Sequence, residues 1–195
     1  PMDVAPFLGI PHPGVDLADP LADLVPQGDS VLLLGIAPTA VPHGWALERF
    51  ADLAQMQCDR ELPLIDGPGI VELGDAHRAD VLALTALVYP HYFRPRTMDL
   101  GRYFGIYVEG RLAAMIGERL GAPGFREMSA ICTHPDFLGC GHARRLTAYL
   151  TNRTLQEGKR PFLHVAYAND RARGLYERMG YRLRRDIGFF ALRRA

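Results

Sequence analysis

The sequence predicts an α/β protein, and three observations carry that expectation. Short apolar runs bounded by glycine, proline or asparagine recur along the chain, as strands do. Two longer segments, "GHARRLTAYLTNRTLQEG" and "DRARGLYERM", combine helical spacing with helix stop signals at Gly158 and Gly180. From residue 70 onward the segments follow the order β-α-(loop)-β-β-β-α-β-α-β. At 195 residues the chain suits one domain, or one domain with a substantial appendage, and can bury a real core.

Residues 1–30, rich in Pro, Gly and Asp, read as irregular apart from one helical turn near Leu21 to Leu24. "SVLLLGI" is an apolar run between breakers, hence a strand. Between Trp45 and about Cys58, the residues Trp45, Ala46, Phe50, Leu53, Ala54 and Gln57 fall near helical spacing. Glu48, Arg49 and Asp52 lie opposite, which predicts a helix with one face in the core. "LPLIDGPG" (62–69) is a connector, so residues 1–66 read as an N-terminal extension and 67–195 as the main domain. Beyond it "IVELG" predicts a strand, and Asp75 can cap a helix running through "AHRADVLALTALV" to Pro90. "RYFGIYVEGRLAAMIGERL" reads as two strands around a Glu109-Gly110 turn. "FREMSAICT" and "PFLHVAYA" are further strands, Asn169 caps the second long helix, and "YRLRRDIGFFALRR" closes as an alternating strand.

Composition excludes several classes of function. Lys+Arg and Asp+Glu are both 22, so no global field recruits nucleic acid or a membrane surface. No apolar run approaches the ~20 residues that span a bilayer, and the first residues lack the pattern of a signal peptide; the default expectation is cytoplasmic. The three cysteines, Cys58, Cys132 and Cys140, are an odd number without metal-ligand spacing, and the seven histidines form no cluster. Reduced thiols and no structural metal follow.

One segment poses a chemical question. "THPDFLGCGHARR" leaves a strand, passes two glycines and enters a helix whose first turn holds Arg144 and Arg145. Cations there oppose the unpaired N–H groups and the positive end of the helix dipole, unless an anion sits beside them. The P-loop pattern is absent, and Gly139-Cys140-Gly141 matches a dinucleotide fingerprint only in its first half, since Arg144 stands where the third glycine belongs. The third reading fits more of the chain. Strand, glycine loop, helix, strand and an Asn-led helix with "LYERMGY" resemble the GNAT acyltransferase superfamily over residues 70–193. "EMSAICTHPDF", "GCGHARRL" and "RPFLHVAYANDRARGLYERMGYRLRRD" are further similar to a bacterial branch related to glycine N-acyltransferases. The resemblance implies a mixed, mostly antiparallel central sheet flanked by helices, with the extension forming a partial GNAT-like half.

It also implies acetyl-CoA, or another acyl-coenzyme A, as co-substrate and a primary amine, of a small molecule or of a protein, as acceptor, handled by the chain alone or as a homodimer. The pyrophosphate would lie on the backbone amides of Leu138, Gly139, Cys140, Gly141, His142, Ala143 and Arg144. Glycines let main chain approach oxygens without a Cβ, and successive N–H groups at a helix start form an anion nest. Both arginines would then complement phosphate charge. Leu138 departs from the family's Gln or Arg at the first motif position, which removes one polar contact. Ile131, Cys132 and Thr133 would pair with the pantetheine amides as an added strand would.

Acyl transfer to an amine needs a neutral amine, a polarised thioester and a proton for the leaving thiolate. Tyr176, seven residues after Asn169, matches the family tyrosine whose hydroxyl points at the coenzyme sulfur; as an aromatic on an amphipathic helix it can also be core. Asn169 is expected both to cap its helix and to contact the pantetheine arm. Period-two alternation puts Glu127, Ser129, Ile131 and Thr133 on one face of their strand and Met128, Ala130 and Cys132 on the other. Glu127, fourteen residues before Gly141, has the offset of the general-base glutamate in the histone-acetyltransferase branch, with Arg126 placed to lower its pKa and Glu118 in reserve. Cys132 and Cys140 lack a sequence-evident His/Asp partner, so a thiol nucleophile is disfavoured. Acceptor specificity is expected in "YPHYFRPRT" (89–97), where aromatics with Arg94 and Arg96 could bind an acid-bearing amine. Two other readings stay open at this point: a non-catalytic acyl-CoA-binding regulatory module, and a nucleotide-cofactor oxidoreductase.

Overall fold

A computed structural model describes residues 1–194, apart from the side chains of residues 19 and 20. Among these residues the strands are β1 (Phe7–Leu8), β2 (Ser30–Gly35), β3 (Trp45–Gln57), β4 (Ile70–Leu73), β5 (Tyr103–Val108), β6 (Arg111–Ala122), β7 (Phe125–Thr133), β8 (Arg160–Ala166) and β9 (Arg182–Arg194). The α-helices are α1 (Ala18–Leu24), α2 (Arg78–Val88), α3 (His142–Gln156) and α4 (Asp170–Met179). The strands form one mixed sheet in the order β1-β2-β9-β3-β8-β7-β6-β5-β4. The β1–β2 and β7–β8 pairs are parallel and the other neighbours antiparallel.

Most elements form where local chemistry predicts them. The β5–β6 hairpin turns at Glu109 and Gly110, whose φ angles of 51° and 75° are the positive pair that a two-residue turn needs to match strand twist. Asp75 departs from expectation. It opens a 3₁₀ turn, Asp75–His77, ahead of α2, and its carboxylate takes a hydrogen bond from Arg78 Nη2 at 2.6 Å instead of capping the helix.

The larger correction is at residues 45–57, where the expected helix is the 13-residue strand β3. Its irregular pairing with β9 explains the misleading pattern. Register shifts fall between Phe50 and Leu53 and between Gln55 and Met56, so the two-residue period breaks and apolar residues recur at three- and four-residue gaps. Those gaps imitate a helix. Pairing on both edges, with β9 along the strand and with β8 over Leu53–Gln57, overrides the helical preference of Ala, Leu, Glu and Arg. Strands from the N-terminal extension therefore belong to the same sheet as the rest of the chain.

Helices cover both faces. On one face, α3 and α4 pack Leu146, Leu150, Tyr176 and Met179 against Met56, Ile116, Met128, Leu163 and Val165. On the other, α2 packs Val81 and Leu84 against Leu73, Tyr103, Met115 and Cys132. The α1 helix closes the β2 end through Leu17 and Leu21 on Val31, Leu33 and Leu192. Deep burial of such side chains contributes about 1.5–3 kcal/mol each, which fixes the layer arrangement.

The functional consequence lies between β7 and β8. They pair only over Phe125–Glu127 and Arg160–Phe162, after which β7 parts from β8. A bulge drives the separation. Between Ser129 and Cys132, β7 carries one residue more than β6 carries between Gly117 and Met115, and Ala130 sits at φ 50°. Such a bulge bends and twists its strand. Meanwhile β8 stays in the sheet because β3 pairs with its opposite edge through Ala166. The result is a gap in the middle of the sheet.

Candidate functional site

The gap opens into a cavity of about 300 Å³. Met128–Cys132 form one wall, Leu163–Ala166 the other, and Asn169, Ala172 and Tyr176 close it from α4. Beyond Glu127 the β7 backbone has no strand partner on the β8 side, so its N–H and C=O groups are free to pair with an extended, amide-bearing ligand. Ile131, Cys132 and Thr133 lie on this free edge.

The bulge inverts one expectation. Met128 and Ile131 pack on the α3/α4 side, whereas Ala130 and Cys132 pack on the α2 side with the surroundings of Glu127. Strict alternation from Glu127 would have put Ile131 with Glu127. The extra residue shifts the phase, and an alanine in a left-handed conformation gives no glycine signal to reveal it.

At the free end of β7 the chain turns through Pro135–Phe137 into the loop Leu138–Gly141 and then α3. Gly139 and Gly141 have φ angles of 83° and 79°, a left-handed region that costs other residues about 1–2 kcal/mol. Among the described residues, the amides of Gly139, Cys140, Gly141, His142, Ala143 and Arg144 donate to no protein acceptor. They form an open row of donors at the positive end of a 15-residue helix. Cys140 is exposed and His142 is buried, while Leu138 projects into solvent at 49% exposure, consistent with a loop that binds through main chain. The two arginines separate. Arg144 is exposed beside Arg60 and Arg178, but Arg145 donates through Nη1 to the Ile65 carbonyl and packs along Gly67. Arg145 thus ties the start of α3 to the connector.

Tyr176 is both core and site. It is buried against Tyr181, with ring centroids 6.0 Å apart, yet it lines the cavity. The tyrosine hydroxyls divide in an informative way. Those of Tyr103, Tyr107, Tyr149, Tyr167 and Tyr181 have protein hydrogen-bond partners. Those of Tyr89, Tyr92 and Tyr176 have none among the described residues, and all three side chains line this cavity. Burial pushes the Tyr176 phenol well above its ordinary pKa and that of Tyr89 up to about 12, so both remain proton donors at neutral pH. Burial also pushes the Cys132 thiol up to about 12, which leaves it an inert thiol. Asn169 caps α4, its Oδ1 accepting from Ala172 N at 3.1 Å, at the cavity rim.

Glu127 lies in the cavity wall, 1% exposed, with its carboxylate engaged. Arg119 Nε and Nη2 donate to its two oxygens at 2.9 and 2.7 Å, and Leu120 N donates at 3.2 Å. His164 Nδ1 lies 2.8 Å from Oε1, and the other ring nitrogen is 2.9 Å from Gln55 Nε2. Arg184 donates to Gln55 Oε1, which leaves the Gln55 amide to donate. That orientation makes His164 Nε2 an acceptor and Nδ1–H a donor to Glu127. Burial alone would raise the Glu127 pKa, but the bonds from His164 and Arg119 hold it at about 2. The arginine with this effect is Arg119, not Arg126. Glu118 takes no part in the cavity: Arg102 binds it through Nη2 at 2.7 Å and Nε at 3.2 Å, and also reaches Glu157.

On the α2 side the cavity is aromatic. Tyr89 and Tyr92 line it as the 89–97 segment suggested, but Arg94 and Arg96 do not. Arg96 pairs with Asp3 at 3.1 Å and Asp99 at 2.9 Å. Phe7, Leu34, Leu53 and Phe189 complete the wall, and Phe7 lies over the Arg119 guanidinium, 4.2 Å from centroid to Cζ. These residues, with Arg119 and His164, were not singled out from sequence. They come from strands far apart in the chain, and no local spacing announces their meeting.

Comparison with known proteins agrees with this geometry. The family described as FR47-like protein matches residues 103–189, and no curated protein matches the chain. A solved GNAT-family structure from Novosphingobium aromaticivorans DSM 12444 is similar at 35% identity, covering 99% of this chain and 86% of that one, with a TM-score of 0.87. A GCN5-related N-acetyltransferase from Kribbella flavida shares the fold at 18% identity, covering 83% of this chain and 67% of that one, with a TM-score of 0.59. The ribosomal-protein-S18-alanine N-acetyltransferase from Escherichia coli does so at 18% identity over 63% of this chain and 91% of its own, with a TM-score of 0.54. Because the Novosphingobium aromaticivorans relative is 35% identical over 99% of this chain, the chain belongs to the GNAT family.

Proposed function

We propose that the protein is an acyl-CoA-dependent N-acyltransferase that moves an acetyl or short acyl group to a primary amine by direct transfer in a ternary complex. One observation carries the reading: the unpaired edge of β7 runs from the open amide row at Gly139–Arg144 to a cavity where the Tyr176 hydroxyl has no protein partner. Pyrophosphate on the amides, pantetheine along the edge and thioester at the tyrosine is the arrangement that this path accommodates. Asn169, Ile131, Cys132 and Thr133 would contact the arm. Tyr176, kept protonated by burial, would donate to the sulfur as thiolate charge develops. The acetyltransferase name of the GNAT-family relative supports the same reaction class.

The general-base role that the offset of Glu127 suggested meets a carboxylate already engaged and held at a pKa of about 2. We assign Glu127 instead to holding Arg119 and the Nδ1–H of His164 in place, with the amine reacting as its free base. The exposed Leu138 favours a second reading in part, a non-catalytic coenzyme-binding module, because it withdraws one polar contact from the loop. Calorimetric titration with coenzyme A, followed by thiol release from acetyl-CoA over a panel of amines, separates the two. Binding with turnover supports the enzyme, binding without turnover of any amine supports the module, and no binding removes both.

A further inference from the structure

The cavity contains an acceptor half whose chemistry is narrower than a general amine site. On the α2 side of the parted strands, Phe7, Leu34, Leu53, Tyr89, Tyr92 and Phe189 form its wall. The rings make a continuous surface: Tyr89 to Tyr92 is 5.1 Å between centroids, Phe7 to Tyr92 is 6.2 Å, and Tyr92 to Phe189 is 6.4 Å. Such spacings suit edge and offset packing with a further aromatic or branched apolar group.

The charges in the wall are already used. Of the residues lining the cavity, Arg119 and Glu127 carry fixed charge at neutral pH, and they neutralise each other through two hydrogen bonds, with Phe7 covering the guanidinium face. Arg94 and Arg96 are outside. An acceptor bearing a carboxylate, such as an amino acid, would enter without a free cation, and one bearing a second ammonium, such as a polyamine, without a free anion. Desolvating an unpaired charge is strongly unfavourable. Among the described residues, the lining hydroxyls of Tyr89 and Tyr92 have no protein partner, beside those of Tyr176 and Ser129. They suit one neutral amine nitrogen.

From this we infer that the acceptor is a monoamine with an aromatic or branched apolar body and no carboxylate, seated on Tyr92 and Phe189 with its nitrogen towards Tyr89 and Tyr176. The inference rests on the acyltransferase reading above and adds the substrate class. It also separates this chain from an acceptor like glycine, whose carboxylate would be stranded here. Part of the wall, Phe7, Leu34 and Leu53, comes from β1, β2 and β3, so the N-terminal strands serve selectivity as well as the sheet.

The test uses the full chain loaded with coenzyme A, with 2-phenylethylamine, glycine and putrescine as probes. Coenzyme binding is measured first, by calorimetry; its absence would overturn the acyltransferase reading itself and this inference with it. With coenzyme bound, 2-phenylethylamine is expected to bind at least tenfold tighter than glycine or putrescine, and, with acetyl-CoA supplied as the acyl donor, to show a correspondingly higher kcat/KM for thiol release. Tyr92→Ala and Phe189→Ala should each lower its affinity about tenfold with coenzyme affinity unchanged; should Phe189→Ala fail to fold, the variant at the half-buried Tyr92, Tyr92→Ala, carries the test alone. Equal or tighter binding of glycine or putrescine, no binding of 2-phenylethylamine to the loaded protein, or indifference of its affinity to Tyr92→Ala would overturn the assignment while leaving coenzyme binding in place.

Discussion

His164 Nδ1 lies 2.8 Å from Glu127 Oε1 inside the parted sheet, and this bond joins the two walls of the gap where the backbone no longer does. Glu127, on β7, is in the last backbone pair, with Phe162, and His164 lies two residues farther along β8. The side chains thus continue the ladder for one more step, while Arg119 clamps the carboxylate from β6. Removing the carboxylate leaves a buried guanidinium without its partner, so Glu127→Gln should cost about 3–5 kcal/mol at pH 7. The pH dependence has a definite sign. The folded-state pKa of Glu127 is about 2, below the ~4.3 of an unfolded glutamate. Its contribution is therefore present above about pH 4.3 and is lost as pH falls towards 2. Urea unfolding of both proteins should show the gap between them narrowing across that window; a gap that stays constant from pH 7 to 3 would show that the loss is one of shape, not charge.

Tyr176→Phe separates chemistry from packing. The ring that contacts Tyr181 is retained and only an unpartnered hydroxyl is lost, so folding and coenzyme affinity should change little. Loss of a general acid typically lowers kcat by ~10²–10⁴. Steady-state kinetics on a turned-over amine, alongside calorimetry with coenzyme A, checks both halves. Near-full kcat would assign the proton to water or another group.

The two arginines that open α3 should behave differently although they are adjacent. Arg144→Glu places a negative charge beside the open amides and should weaken coenzyme binding most at low ionic strength, where phosphate contacts are least screened. Arg145→Ala should instead lower stability by about 1–3 kcal/mol, because the Ile65 carbonyl loses its donor. Titrations at two salt concentrations and a thermal melt of each variant distinguish them. A similar salt dependence for both would mean that Arg145 also faces phosphate.

Much of this was legible in the sequence because local chemistry announces itself. Gly139 and Gly141 mark left-handed turns, Asn169 caps its helix, and Glu109-Gly110 turns a hairpin, each by the conformational preference of one or two residues. What escaped was set by partners distant in the chain. Residues Trp45–Gln57 carry helix formers, yet two neighbouring strands and two register shifts decide their state. Glu127 could be found by its offset, but the Arg119 and His164 that fix its charge could not. The same holds for the aromatic wall of the cavity, which Phe7 and Phe189 line from opposite ends of the chain.

Ala130 is where local and global demands conflict, and it yields the last prediction. Its φ of 50° is costly for a residue with a Cβ, while the bulge it allows is what turns β7 away from β8. Ala130→Gly relieves the left-handed strain, but it frees the unfolded chain and deletes a buried methyl. These effects are each about 1 kcal/mol and oppose one another, so stability should stay within about 1 kcal/mol of the parent. Ala130→Val cannot relax in this way. A β-branched residue is strongly disfavoured at positive φ and should cost about 1–3 kcal/mol. If the strand answers by straightening, the gap closes and coenzyme affinity falls together with stability. Urea midpoints with coenzyme titrations on both variants decide the matter. A valine tolerated at no cost in either readout would show that the bulge does not depend on the conformation of residue 130.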